Sequence, residues 1–207
     1  IFPHEIIVRK QFEENHIVVT RSEMETRVYL NGNVRFSTAD AYRYYESLVH
    51  VACAGTKSPV KRVLVLGGEG GLLVQELLKY PTIESIDVVD NSGIMLMAMK
   101  EPILRSINTN VFEEKRIQTI ERELFDFLST TSQKYDAIFM DLPEADEDNS
   151  TLSSQREIIL RLSRRLENQG FLVTQAGSPF FSVQSFWETV EILRQISLEQ
   201  EAFVYPY

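Results

Sequence analysis

The chain has 207 residues, 43% hydrophobic and 25% charged, the size and composition of one globular domain with room for a small appendage. Its 21 Lys and Arg against 30 Asp and Glu give a formal charge of −9, which repels an extended phosphate backbone and sets nucleic acid aside as a partner. One cysteine, Cys53, in an apolar stretch, excludes an internal disulfide framework; His4, His16 and His50 stand far apart, without Cys or carboxylate at ligand spacing, so no metal site is expected.

In chain order the first elements are β-rich. HIVVT from His16, RVYL from Arg27 and VRF from Val34 read as short strands, with Asn31-Gly32-Asn33 as the turn between the last two. From Ser37 to Ala54, cap-like Ser, Thr and Asp precede Tyr45, Leu48, Val49 and Ala52 at helical spacing. The expected organisation is a small β unit over residues 1–38, a connecting helix over 39–55 and a main domain over 56–207.

After the break GTKSP, β-rich runs alternate with helical stretches: KRVLVLG, LLVQELLKYP, ESIDVVD, IMLMAMKEPIL, RIQTIE, LFDFLS, YDAIFMDLP, TLSSQREIILRLSRRL, GFLVTQAG and VQSFWETVEILRQI. Apolar strands in alternation with helices predict a parallel sheet covered on both faces, the doubly wound Rossmann-like α/β class. The acidic run EADED reads as a solvated loop, and most of Phe180, Phe181, Phe186 and Trp187 are expected in the core. No apolar run is long enough to span a bilayer, and the start lacks a basic region followed by an apolar one; the chain reads as cytoplasmic in character.

Ligands of such sheets sit beyond the C-terminal strand ends. There VLVLGGEGGL carries Gly67, Gly68, Glu69, Gly70 and Gly71 from a strand straight into a helix, which suits close approach of backbone N–H groups to a ligand or simply a tight turn. About twenty residues on, Asp90 ends the next strand, where an acid can accept both hydroxyls of a ribose or cap the following helix. Glu123 follows the third strand, placed to meet an adenine edge or to lie on the surface. Finally YDAIFMD delivers Asp141 to the sheet edge, with Pro143 and Glu144 turning the chain away, and a carboxylate brought there by a buried strand is a candidate for chemistry.

Taken together, YLNGNVRFSTADAYRYYESLVH, VLVLGGEGGLLVQELLKYP, YDAIFMDLP and GFLVTQAGSPFFSVQSFW resemble the spermidine synthase family, in order and at family spacing from about residue 11 onward, closest to the bacterial branch whose transferase domain can be joined to membrane segments. The resemblance implies a methyltransferase-like Rossmann domain behind a small β domain, a homodimer, and transfer of an aminopropyl group from decarboxylated S-adenosylmethionine to putrescine or a related polyamine, a small cationic partner. Carried over residue by residue, Asp141 takes the place of the carboxylate that helps deprotonate the attacking amine and Tyr44 that of its neighbouring tyrosine. Gly67, Gly68, Glu69, Gly70, Asp90 and Glu123 fall on the cofactor side, Glu144 and Gln175 on the amine side.

The departures are specific. Glu69-Gly70 stands where the family has glycine then aspartate, Arg35 where a glutamine is usual and Ala41 where an acid is usual. Tyr45 replaces glutamine or histidine, Ser92 a second acid, and Glu144-Ala145 an aspartate-proline pair. Three readings follow: an aminopropyltransferase, a non-catalytic homologue with a regulatory or binding role, and a methyltransferase using S-adenosylmethionine itself.

Overall fold

The computed structural model describes residues 2–12, 14–68, 70–90, 93–142 and 149–196. Four antiparallel strands come first, β1 (Glu5–Phe12), β2 (Asn15–Arg21), β3 (Thr26–Leu30) and β4 (Asn33–Ser37), paired in that order. The β3–β4 connection is tighter than the three-residue turn expected. Asn31 and Gly32 both have positive φ, 52° and 85°, and Asn33 already pairs with Leu30, the two-residue geometry that matches strand twist. β1 is a strand beyond the three expected: it lies at the sheet edge with no residue fully buried, so its sequence carries little apolar alternation.

A cluster around Glu25 ties this sheet together. Its carboxylate accepts from Arg27 at 2.7 Å, meets His4 Nε2 at 2.9 Å and accepts from the Ser37 hydroxyl. The Arg27 hydrogen bond foremost, then that of Ser37, hold Glu25 down to about 2 from an ordinary 4.5. A carboxyl depressed in the folded state stabilises fully above its unfolded pKa and loses that contribution as pH falls through the folded one. The Glu25→Gln variant is therefore expected to show a shallower fall in melting temperature than the parent on acidification from 4.5 toward 2, measured by circular dichroism melts.

Helix α1 (Ala41–Gly55) leads to a five-stranded parallel sheet: β5 (Arg62–Gly67), β6 (Ser85–Asp90), β7 (Ile117–Glu121), β8 (Tyr135–Asp141) and β9 (Leu166–Thr174). Its spatial order is β7-β6-β5-β8-β9, so the order reverses between β5 and β8. The crossovers carry α2 (Leu72–Leu77), α3 (Ile94–Met99), α4 (Pro102–Arg105), α5 (Leu124–Thr130) and α6 (Asn149–Ser163), and α7 (Val183–Ile196) follows β9. The single helix expected over IMLMAMKEPIL is two. Pro102 has no N–H for an ongoing helix, and Glu101 before it is extended, with φ −67° and ψ 140°.

Alternation along β5 explains why its run is apolar throughout. Val63 and Val65 face a core completed by Tyr45 and Val49 of α1 and Leu73, Val74 and Leu77 of α2. Leu64 and Leu66 face the other, with Phe127 and Leu128 of α5, Ile159 and Leu162 of α6 and Ile192 of α7. All four β5 side chains are 0–1% exposed; burying one such chain contributes roughly 1.5–3 kcal/mol. A third cluster glues the two sheets' layers: Ile17, Val19, Val28 and Phe36 pack on Met95, Ala98, Met99 and Leu104.

Cys53 is partly buried, and that burial pushes its thiol up to about 11. One core expectation changes. Of the four aromatics expected mostly in the core, Phe186 is buried, at 6% exposure, whereas Phe180, Phe181 and Trp187 are 84%, 92% and 54% exposed. Phe180 and Phe181 sit in a turn whose backbone N–H groups are held by Ser178 Oγ, ahead of α7, and Trp187 lies a step around the helix from the buried Phe186, at the margin of its buried side.

Candidate active site

The order reversal between β5 and β8 puts a crevice at their C-terminal ends. There Gly67, the last residue of β5, is the register partner of Asp141, the last of β8. Gly67 has φ +78°, and a β-carbon on it would lie 2.2 Å from the Asp141 backbone oxygen, so the loop can leave β5 against β8 only as glycine. At Gly70 the constraint comes from the small β-sheet: a β-carbon would meet Phe36 Cε1 at 2.9 Å. Part of what makes this loop glycine-rich is thus the protein's own packing, which also clamps β4 over the loop.

Tyr44, on the first turn of α1, reaches this crevice. Its hydroxyl donates to Asp141 Oδ1 at 2.7 Å and lies 3.4 Å from Gln175 Oε1. Gln175 follows β9 and donates through Nε2 to the Leu142 carbonyl at 2.5 Å, which fixes the amide beside the carboxylate. The Tyr44 ring stacks edge-on against Tyr45, centroids 4.9 Å apart at 77°, and Tyr45 is 8% exposed in the core. Tyr45 thus anchors the tyrosine from behind. Burial pushes the Asp141 carboxyl above the usual carboxylate range, opposed by the Tyr44 hydrogen bond and then by the positive charge of Arg35. Such a group can hold an ammonium or take its proton more readily than an exposed aspartate.

Asp90 ends β6, one strand beyond β5, and is 3% exposed. Strand spacing places it roughly 10 Å from Asp141, two strands away. The helix after it, α3, is capped by Gly93 with no side-chain bond, so Asp90 does not cap it. Glu123 is exposed and spends its carboxylate as the cap of α5, accepting from the Asp126 N–H at 3.0 Å. Gly68 continues the loop with φ +65°. Glu69, Ser92, Glu144 and Ala145 lie outside the described residues. The structure therefore gathers Tyr44, Asp141, Gln175, Gly67 and Gly70 at one edge and leaves Glu123 on a helix end. Phe36, read only as a strand residue, turns out to cover the loop; its one sequence signal was an aromatic closing a strand just before a cap.

Fold and site together define a methyltransferase-like Rossmann domain with a tyrosine–carboxylate pair at its switch point. The chain belongs to the spermine/spermidine synthase family, whose domain matches residues 41–206. It is 35% identical over 188 residues to a polyamine aminopropyltransferase of Leptospira interrogans, covering 90% of this chain and 38% of that protein. A polyamine aminopropyltransferase of Oceanobacillus iheyensis is 31% identical over 202 residues, 97% of this chain and 39% of that one. The chain thus spans about two fifths of the length of these curated relatives. Among solved structures, spermidine synthase from Thermotoga maritima superposes with a TM-score of 0.78 at 18% identity, covering 92% of this chain and 63% of that one. A spermidine synthase in complex with the transition state analogue AdoDATO gives 0.77, also at 18% identity and with the same coverage.

Proposed function

We propose that this chain is the transferase domain of an aminopropyltransferase, which moves the aminopropyl group of decarboxylated S-adenosylmethionine to a primary amine of the polyamine class. The observation that supports it most is the Tyr44–Asp141 hydrogen bond, 2.7 Å, at the sheet's switch point beside the glycine loop. In this reading Gly67, Gly68, Glu69, Gly70, Asp90 and Glu123 hold the nucleoside, the last from its helix-capping position. Glu144 and Gln175 meet the acceptor. The working form is a homodimer in the cytoplasm, built as a β unit (1–38), a connecting helix (39–55) and a nucleoside-binding domain (56–207), and the exposed Phe180, Phe181 and Trp187 offer an apolar face for association.

The reaction is a direct displacement. The acceptor nitrogen's lone pair attacks the methylene next to the sulfonium, the carbon–sulfur bond breaks, and methylthioadenosine leaves with the bonding electrons. A primary amine with pKa near 10 is protonated at neutral pH, and freeing its lone pair costs roughly 4 kcal/mol at about 1.4 per unit. Asp141 receives the ammonium and takes its proton as the new bond forms, and its raised proton affinity lowers part of that cost. The Tyr44 hydroxyl keeps the carboxylate aimed at the nitrogen, and positioning supplies most of the remaining rate.

The test is product analysis with decarboxylated S-adenosylmethionine and putrescine. Release of methylthioadenosine in step with a new triamine is expected. Methylated product from intact S-adenosylmethionine would move the assignment to a methyltransferase, and nucleoside binding without any product to a non-catalytic homologue.

A further inference from the structure

Resting on that reading, we propose that Asn108 is a positioning residue for the nucleoside: its buried side-chain amide braces the Gly70–Gly71 corner of the glycine loop in the shape that receives the ligand. Asn108 lies between α4 and the short helical turn Val111–Glu113, 38 residues along the chain from Gly70, and is 0% exposed. Its Nδ2 donates to the Gly70 carbonyl at 3.3 Å, and its Oδ1 accepts from the Asn110 N–H at 3.1 Å. A carbonyl can only accept and a backbone N–H only donate, so these partners fix which way the amide faces.

The hold falls on a single peptide unit. Its carbonyl, on Gly70, goes to Asn108, and its N–H, on Gly71, donates to the Gly68 carbonyl at 2.8 Å. Fixed at both ends, the unit cannot turn over without losing both bonds, and the one to Asn108 is buried, where an unmade bond is costly. Packing closes the remaining space. A β-carbon on Gly71 would lie 2.9 Å from Asn108 Cβ and Nδ2 and from Val111 Cγ2, and one on Gly70 would lie 2.9 Å from Phe36 Cε1. Gly71, at φ +78°, is the residue from which α2 starts, so the same brace sets where that helix begins. Asn108 is kept there in a costly backbone setting: Thr109 and Asn110 follow it with φ of 52° and 59°, the left-handed region that a β-branched threonine rarely enters. Strain of this kind persists where surrounding contacts over-determine it, and it gathers at ligand-binding positions. Glycines leave a loop free to adopt many shapes, whereas presenting backbone to a nucleoside requires one; the support comes from outside the loop, at Asn108.

The deciding experiment separates loop shape from overall stability. Asn108→Ser keeps an oxygen that can accept from the Asn110 N–H, but its side chain is too short to reach Gly70. In the double variant Asn108→Ser/Thr109→Gly the left-handed position is glycine, which recovers stability without restoring the lost donor. Methylthioadenosine is titrated calorimetrically into the parent and both variants, with thermal melts and amide hydrogen exchange alongside, and single-turnover transfer to putrescine is followed at saturating decarboxylated S-adenosylmethionine. Exchange is expected to quicken over the glycine loop and the first turn of α2. Affinity should weaken about tenfold in both variants, as when the competent loop falls to about a tenth of the population. The saturated transfer rate should stay within about threefold of the parent, because Tyr44 and Asp141 are unchanged. Affinity within about twofold of the parent in Asn108→Ser, affinity that returns with stability in the double variant, or a saturated rate that falls as far as the affinity overturns the proposal and leaves the nucleoside site standing. A parent that binds no methylthioadenosine overturns the nucleoside reading, and this role with it.

Discussion

Asp141→Asn is expected to lower the rate of aminopropyl transfer by about 10²–10⁴, the usual worth of a positioned general base, while nucleoside affinity stays within a few-fold. The substitution keeps the shape of the side chain, and Tyr44 can still donate to the amide oxygen in place of Oδ1, now 2.7 Å away. What disappears is the charge that, in the proposed mechanism, receives the ammonium and takes its proton. Methylthioadenosine affinity should be nearly untouched, because the ribose end of the proposed nucleoside site lies at Asp90, two strands across the sheet. Single-turnover kinetics together with methylthioadenosine titration separate the two effects, and unchanged turnover in the variant would remove Asp141 from the mechanism.

The same variant should be more stable than the parent at neutral pH. Burial raises the folded-state pKa of Asp141 above its ordinary 3.8, so across the interval between these values the folded chain binds more protons than the unfolded one. Stability then falls as pH rises through that interval. Asparagine does not ionise and escapes this loss. Denaturant melts should show the gap between variant and parent opening as pH climbs out of the carboxylate range, the opposite sense to the acid-side loss expected at Glu25. A carboxylate kept at a cost in stability is the trade often met at active sites.

Gly67→Ala is expected to be the most damaging single methyl addition at the site, at about 3 kcal/mol or more, or roughly 6–12 °C in a domain of this size. Two costs combine. An L-residue at φ +78° is strained by about 1–2 kcal/mol, and the new β-carbon would sit 2.2 Å from the Asp141 carbonyl oxygen. That contact is backbone against backbone at a register pair, so relief requires β5 and β8 to part where the Tyr44–Asp141 bond is made. Activity should fall along with stability. Gly32→Ala is the control: φ is +85° but nothing lies within 4 Å of the added carbon, so the dihedral cost alone, about 1 kcal/mol, should appear. Equal losses at the two positions in thermal melts would show that packing against Asp141 plays no part.

What the sequence determined by itself was local. Runs such as KRVLVLG and YDAIFMD announce strands buried on both faces, because a strand packed from two sides must be apolar at every position, and Val63–Leu66 are divided between two cores in just that way. A strand's last residue lies where the apolar run ends, so Asp90 and Asp141 could be placed at strand ends from the sequence alone. The edge strand β1, the break before Pro102 and the outward turn of Phe180 and Phe181 were less legible, since partial burial blurs alternation and a turn can carry an aromatic either way. Tertiary structure alone decided which strand ends are neighbours. Nothing in the spacing says that β5 lies between β6 and β8, that Gly67 abuts Asp141, or that Tyr44 bonds a carboxylate 97 residues away. The same holds for Arg35, a residue of the small sheet whose positive charge bears on Asp141 of the other. Glu123 reads equally as a ligand contact or a surface group, and only the structure adds that its carboxylate caps the first turn of α5. The reason is physical: periodicity and turn chemistry act over a few residues and are written in order along the chain. The pairing of strand ends, by contrast, follows from how helices cover both faces of a twisted sheet, a property of the whole packed domain.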